Sequence, residues 1–148
     1  MTKLILLVED NSSDEKLALL AFKKCGVPHE IVVARDGADA LDYVFATGKF
    51  AGRDPAARPA LVLLDLKLPR VSGHEVLRRI RAAPETQVLP VVVLTASVEE
   101  EDVLRSYTLG ANAYIRKPVD FIEFSNTVKA LGTFWLQFNE AAPLVRAG

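Results

Sequence analysis

Five short apolar runs, each followed by a longer segment with helical spacing, constrain this chain more than any other feature. The runs are Leu4-Ile5-Leu6-Leu7-Val8, Ile31-Val32-Val33-Ala34, Leu61-Val62-Leu63-Leu64, Val91-Val92-Val93-Leu94 and the shorter Ala113-Tyr114-Ile115. Apolar runs this short, closed by turn signals, read as strands buried on both faces. Between them, apolar residues recur every three or four positions, as on one face of a helix. Leu17, Leu20 and Ala21 mark the first helix, with Ser12 or Ser13 as N-cap and Gly26 as its stop. Asp36 is expected to cap a second, running through Ala40, Leu41 and Val44 to Gly48. Ser72 opens a third, with Val76, Leu77 and Ile80 inward and its arginines outward. Ser97 opens a fourth that runs to Gly110, and Glu99-Glu100-Glu101 in its first turn complement the helix dipole. A fifth starts near Asp120 and carries Phe121, Phe124, Val128 and Leu131.

This alternation predicts an α/β fold: a doubly wound, parallel five-stranded sheet of (βα)5 type with helices on both faces. Right-handed crossovers bring all strand C-termini to one edge. The 148 residues suit one domain with a sizeable core. Two segments stand outside the alternation. Lys49 to Pro59 is expected to be an exposed insertion, and the tail carries Phe134-Trp135-Leu136-Gln137-Phe138 before a frayed end from Ala141 to Gly148.

Composition narrows the class. The net charge of -1 gives no pull toward nucleic acid or an anionic membrane. The lone Cys25 has no partner for an internal disulfide, which suits a reducing compartment. The first apolar run is interrupted at once by Glu9-Asp10, too soon for a signal-peptide core. No apolar stretch approaches the roughly 20 residues of a membrane span. A cytoplasmic protein is expected.

Asp65 closes the third run, and an unpaired carboxylate inside a buried strand is costly. It is therefore expected at the strand tip, where open parallel sheets place their ligand sites. The other tips carry Glu9-Asp10, Thr95 and Lys117-Pro118. Carboxylates brought together repel unless a cation neutralises them. A donor set of oxygens without His or Cys favours Mg²⁺ or Mn²⁺. An aspartate can attack phosphorus to form an acyl phosphate, and the transfer then needs charge stabilisation on the phosphoryl oxygens. The metal, Lys117, and the Thr95 hydroxyl with backbone N–H groups would supply it.

Glu9-Asp10, Asp65, Thr95 and Lys117-Pro118, together with Asp65-Leu66-Lys67-Leu68-Pro69 and Ser72-Gly73, resemble the receiver domain of two-component response regulators. The resemblance spans about residues 3–131 and implies a flavodoxin-like receiver fold over 1–131, with 132–148 as a C-terminal helix extension and tail. It implies that Asp65 accepts a phosphoryl group from a histidine kinase phosphohistidine. Asp10, Asp65 and the backbone carbonyl of Lys67 would bind Mg²⁺ (Mn²⁺ as substitute), and Glu9 would act mainly through water. Lys117 would pair with Asp65 and then with its phosphate. Thr95 and Tyr114 would form the switch that transmits the state to a partner protein. Pro118 would follow a cis bond that orients Lys117. Lys67 and Ser97 stand at positions that tune phosphate lifetime, and Ala96 leaves room for the phosphoryl group. The long loop before the third strand, Arg116-Lys117-Pro118 and Phe134-Trp135-Leu136 are similar to single-domain response regulators paired with phytochrome-type histidine kinases. Such a protein is a phosphoacceptor that catalyses only its own phosphoryl transfer and slow autodephosphorylation. Too little chain follows Asp120 for a DNA-binding domain.

Other readings compete at several positions. A Mg²⁺-dependent phosphohydrolase with Asp65 as nucleophile wants a second acid two residues on, where Lys67 stands. A flavodoxin-like cofactor binder wants a phosphate-cradling loop after the first strand, where Glu9-Asp10 would repel it. His29 and His74 read as solvated, and Cys25 as a small core residue. Arg78, Arg79 and Arg81 read as a wet helix face or a kinase-docking patch. Phe134, Trp135 and Phe138 exceed what a solvated end needs. They predict a homodimer through the last helix and its extension.

Overall fold

The structure, a computed structural model, describes residues 2–143. Leu144 to Gly148, part of the tail expected to fray, lie outside the described residues. Five strands alternate with five helices: β1 Lys3–Val8, α1 Ser12–Lys23, β2 His29–Ala34, α2 Gly37–Phe45, β3 Leu61–Leu64, α3 Gly73–Ala82, β4 Val91–Thr95, α4 Glu100–Thr108, β5 Ala113–Arg116 and α5 Phe121–Thr133. The strands lie in the order β2-β1-β3-β4-β5, and every neighbouring pair is parallel. This is the doubly wound α/β architecture that the alternation predicts. Among the described residues no helix is long and apolar enough to cross a membrane.

Side-chain parity divides the core in two, because successive strand residues point to opposite faces. Leu6, Val8, Val62, Leu64, Val91 and Val93 pack with Ala40, Leu41 and Val44 of α2 and Val76, Leu77 and Ile80 of α3. Ile5, Leu7, Leu61, Leu63, Val92 and Leu94 pack with Ala18, Ala21 and Phe22 of α1 and Phe124, Val128 and Leu131 of α5. Strands β1, β3 and β4 carry fully apolar runs because both their faces are covered.

Helix starts follow local chemistry, with two departures. Asp36 and Ser72 cap α2 and α3 as expected, and α5, expected to start near Asp120, is capped by that residue. Helix α1 is capped by Asn11 instead of Ser12 or Ser13, its Oδ1 accepting from the Asp14 N–H at 2.9 Å. Helix α4 begins at Glu100 after Glu99, with no side-chain cap. Ser97 lies further upstream, where its hydroxyl donates to Asp102.

Two other expectations change, and one gains a detail. Lys49 to Pro59 is mostly exposed, as expected, and it is also anchored. Arg53 donates to the carbonyls of Tyr43, Val44, Asp54 and Ala57, and its guanidinium sits 4.3 Å from the Tyr43 ring centroid. Arg81 is no wet-face residue: Nε donates to Gly110 O, Nη1 to Gln87 O and Leu89 O, and Nη2 to Asn112 Oδ1. Arg78 and Arg79 remain exposed and pair with Glu75. Finally, α5 runs directly into a π-helical turn, Phe134–Phe138. Leu136 of that turn is buried in the α1/α5 half of the core and Trp135 packs against it, so the extension does cover its own domain. Lys3 Nζ donates to Leu136 O at 2.9 Å and ties the turn to β1.

Because the Arg81 guanidinium satisfies carbonyls on two separate loops, Arg81→Met should destabilise the fold by about 2 kcal/mol. Urea unfolding would measure it, and a loss within about 0.5 kcal/mol, as for an ordinary surface change, would contradict this account.

Candidate functional site

The ladder extends one residue past three of the strands. The Glu9 N–H donates to Ala34 O, the Asp65 N–H to Val8 O, and the Lys117 N–H to Thr95 O. Glu9 therefore keeps the parity of Ile5 and Leu7, Asp65 that of Leu61 and Leu63, and Lys117 that of Ala113 and Ile115. All three point to the α1/α5 side, and there they meet. Lys117 Nζ lies 2.7 Å from Glu9 Oε1, 2.8 Å from Asp65 Oδ2 and 2.8 Å from Asp14 Oδ2. Lys117 and Asp65 each expose 9% of the side chain and Glu9 only 4%, so little water screens these charges.

Burial works against the Lys117 ammonium. The bonds to Asp14, Asp65 and Glu9 together outweigh it and hold its pKa above the ordinary lysine value. Burial pushes the Glu9 carboxyl up to about 7, against the pull of Lys117. Asp65 Oδ1 accepts from the Leu66 N–H at 2.7 Å. Behind it, Gly73 donates to Leu66 O at 2.8 Å. A Cβ at Gly73 would collide with the Asp65 carbonyl oxygen and Leu66 Cα, so this close approach admits only glycine.

Glu9, Asp10 and Asp65 each offer a carboxylate oxygen, all within 4.8 Å of one another. Asp10 is exposed and the other two are buried. Three oxygens without His or Cys suit a hard divalent cation, and one exposed donor leaves an entry path. Lys67, two residues after Asp65, presents its side chain to solvent.

Thr95 and Tyr114 take the other parity and face the α3/α4 side. Thr95 is buried, and its Oγ1 accepts from the Ser97 N–H at 3.4 Å. The half-buried Tyr114 donates its hydroxyl to Ser97 O at 3.1 Å. The two switch candidates thus meet on one loop residue.

The sequence reading missed Asp14. An acid in the first turn of the helix that follows Glu9-Asp10 was its only signal. The expected cis bond before Pro118 is also corrected, since all described peptide bonds are trans. Three carboxylates orient Lys117 without it. His74, read as solvated, is buried, with Nε2 3.0 Å from Ser106 Oγ. A cavity of about 560 Å³ opens at the opposite end of the strands, between Lys3, Arg58, Pro90 and Trp135, far from this chemistry.

The sheet order, the acid cluster and the buried lysine define a class. The profile of the response regulator receiver domain matches residues 5–129, and the chain belongs to that family. Among its relatives are the probable methanogenesis regulatory protein FilR2 of Methanothrix harundinacea and the response regulator Rcp1 of Synechocystis sp. FilR2 is 41% identical over 138 residues, covering 93% of this chain and 86% of its own. Rcp1 is 38% identical over 135 residues, covering 91% and 90%. The phosphorylated cyanobacterial phytochrome response regulator RcpA superposes with a TM-score of 0.90 at 40% identity, covering 97% of this chain and 100% of that one. The Mn²⁺-bound form of Rcp1 gives 0.88 at 37%, covering 95% and 99%. The chain therefore resembles phytochrome response regulators, and phosphorelay signalling is favoured over phosphoester hydrolysis.

Burial of Glu9 sets the sign of a pH dependence. Its folded pKa, about 7, stands above the ordinary value of 4.5, so its contribution is fully present below 4.5 and is lost as pH rises through 7. Without divalent ions, wild-type stability relative to Glu9→Gln should therefore fall by about 3 kcal/mol from pH 4.5 to pH 8. Denaturant titrations at the two pH values would measure it, and a constant difference would refute it.

Proposed function

We propose that this protein is a single-domain response regulator of a two-component phosphorelay, acting in the cytoplasm, and that Asp65 is its phosphoacceptor. The observation that carries this reading is the Lys117 ammonium 2.8 Å from Asp65 Oδ2, at an edge where Glu9, Asp10 and Asp65 bring carboxylate oxygens within 4.8 Å. A carboxylate oxygen of Asp65 attacks the phosphorus of a phosphohistidine. The P–N bond breaks, and an aspartyl phosphate forms. Lys117 holds Asp65 beforehand and is within reach of the new phosphoryl oxygens. Thr95 offers a hydroxyl from the other parity, and Tyr114 follows it through Ser97.

Mg²⁺, with Mn²⁺ as substitute, is the proposed cofactor, held by Glu9, Asp10, Asp65 and the Lys67 carbonyl. The Mn²⁺-bound form of Rcp1 supports that assignment. Such an ion, when bound, would supply positive charge beside the phosphoryl group. The likeness to the phytochrome response regulator RcpA supports a phytochrome-type histidine kinase as donor. Incubation with acetyl phosphate and Mg²⁺, followed by intact mass measurement, tests the reading. One phosphoryl group per chain is expected, with none in Asp65→Asn and none after chelation of divalent ions. Multiple turnover of p-nitrophenyl phosphate without an adduct would favour the phosphohydrolase instead.

We propose further that the chain forms a homodimer through α5 and its π-helical turn. Phe134 and Phe138 are 49% and 68% exposed, and Ile122 of α5 is 73% exposed. Apolar side chains left exposed after Trp135 and Leu136 have packed inward suit a second copy. Removing the whole turn would also take Leu136 from the core, so a surface variant tests the idea better. Phe134→Ser with Phe138→Ser should sediment as monomer where the wild type sediments as dimer. Equal sedimentation coefficients would refute this interface.

A further inference from the structure

Helix α4 is held differently from its neighbours. Its only fully buried residue is Ser106, and Leu104 and Tyr107 are 70% and 50% exposed. Apolar burial, which fixes α1, α2, α3 and α5, contributes little here. Hydrogen bonds take its place, and they form one connected chain. The Ser97 hydroxyl donates to Asp102 Oδ2 at 2.5 Å and accepts from the Glu99 N–H at 3.3 Å. The Ser106 hydroxyl donates to the Asp102 carbonyl at 2.7 Å. Having given its single proton there, it can only accept from His74, so His74 Nε2 carries the hydrogen across the 3.0 Å contact. Burial lowers the His74 pKa, helped by the nearby Arg105, which suits a neutral ring.

The two ends of this chain lie on the two flanks of Asp65. His74 follows Gly73, whose Cα lies against the Asp65 carbonyl. At the other end the Ser97 N–H donates to Thr95 Oγ1 and the Ser97 carbonyl accepts from Tyr114.

We propose that Ser97 and Asp102 are positioning residues, forming with Ser106 and His74 a polar latch that sets α4 and, through Ser97, the placement of the Thr95 hydroxyl. The inference deepens the reading of Thr95 as the group that meets the phosphoryl oxygens, and so rests on that reading. A latch made of hydrogen bonds is suited to reset. Each bond is individually weak and can be exchanged, whereas an apolar contact would have to be pulled from the core.

Hydrogen–deuterium exchange of the unmodified protein tests the latch without any phosphoryl transfer. Asp102→Ala and Ser97→Ala should each speed exchange of the amides from 97 to 103 by roughly tenfold, the equivalent of one lost hydrogen bond. The double variant should exchange no faster than Ser97→Ala alone, because that change already removes the bond to Asp102 together with the one from the Glu99 N–H. Asp102→Asn, which keeps an acceptor oxygen for Ser97, should restore protection. Faster exchange in the double variant than in Ser97→Ala, or exchange unchanged in Asp102→Ala, would overturn the latch.

A second measurement reads positioning. With acetyl phosphate and Mg²⁺, Asp102→Ala should change the rate of adduct formation on Asp65 several-fold, and Asp102→Asn should return it to the wild-type rate. Equal rates in wild type and Asp102→Ala would overturn the link to Thr95. Absence of an adduct on the wild-type chain would defeat the phosphoacceptor reading itself, while the exchange result would still decide whether the latch exists.

Discussion

The Lys117 ammonium is the contact on which the carboxyl edge of this sheet depends. Three acids, Glu9, Asp14 and Asp65, converge on one nitrogen at 2.7–2.8 Å. Without a cation among them, mutual repulsion and burial would drive protons on or the loops apart. With it, the ends of β1, β3 and β5 and the first turn of α1 are joined at one point. A divalent ion on Glu9, Asp10 and Asp65 would add charge beside the lysine, so the acid cluster suits two cations that share its carboxylates.

Parity gives this edge two sides with separate tasks. Glu9, Asp65 and Lys117 continue the odd-numbered rows of their strands and gather over α1 and α5. Thr95 continues the Val91 and Val93 row of β4, Tyr114 the even-numbered row of β5, and both face the other side of the sheet, where they meet at Ser97. Acceptance of charge and its transmission are thus divided by the sheet itself. The division exists because each reactive residue is counted from an apolar run whose inward and outward positions are fixed by packing.

The same counting explains what the sequence revealed. The strand tips were legible because a charged residue closing a buried run has few places to go. The caps Asp36 and Ser72 were legible because their hydrogen bonds stay within a few residues. Features made by long-range pairing were hidden. Asp14 looks like any acid in a first helical turn, and only the folded chain brings Lys117 to it. Arg81 cannot be told from Arg78 and Arg79 until the loops at Leu89 and Gly110 approach it. His74 sits among polar neighbours in sequence, yet Ser106 lies within hydrogen-bonding distance. Ser97 has the chemistry of an N-cap, but α4 starts three residues later, and the Ser97 hydroxyl serves the loop instead, accepting from the Glu99 N–H and donating to Asp102. The packing of the extension was hidden for a related reason: its aromatic residues dominate the sequence, while Leu136 between them finds the space beside α1 and β1.

The chain's single tryptophan stands in that extension. Trp135 packs against the α1/α5 half of the core, and its ring meets Phe134 edge-on at 5.0 Å. It also lines the cavity at the amino ends of the strands, the far side of the domain from Asp65. Its ultraviolet emission is therefore a built-in optical probe of one place only. Its emission reports the surroundings at the foot of α5, at the other end of the strands from the acid cluster. Any change in that emission on phosphorylation would record a signal that had crossed the whole length of the sheet.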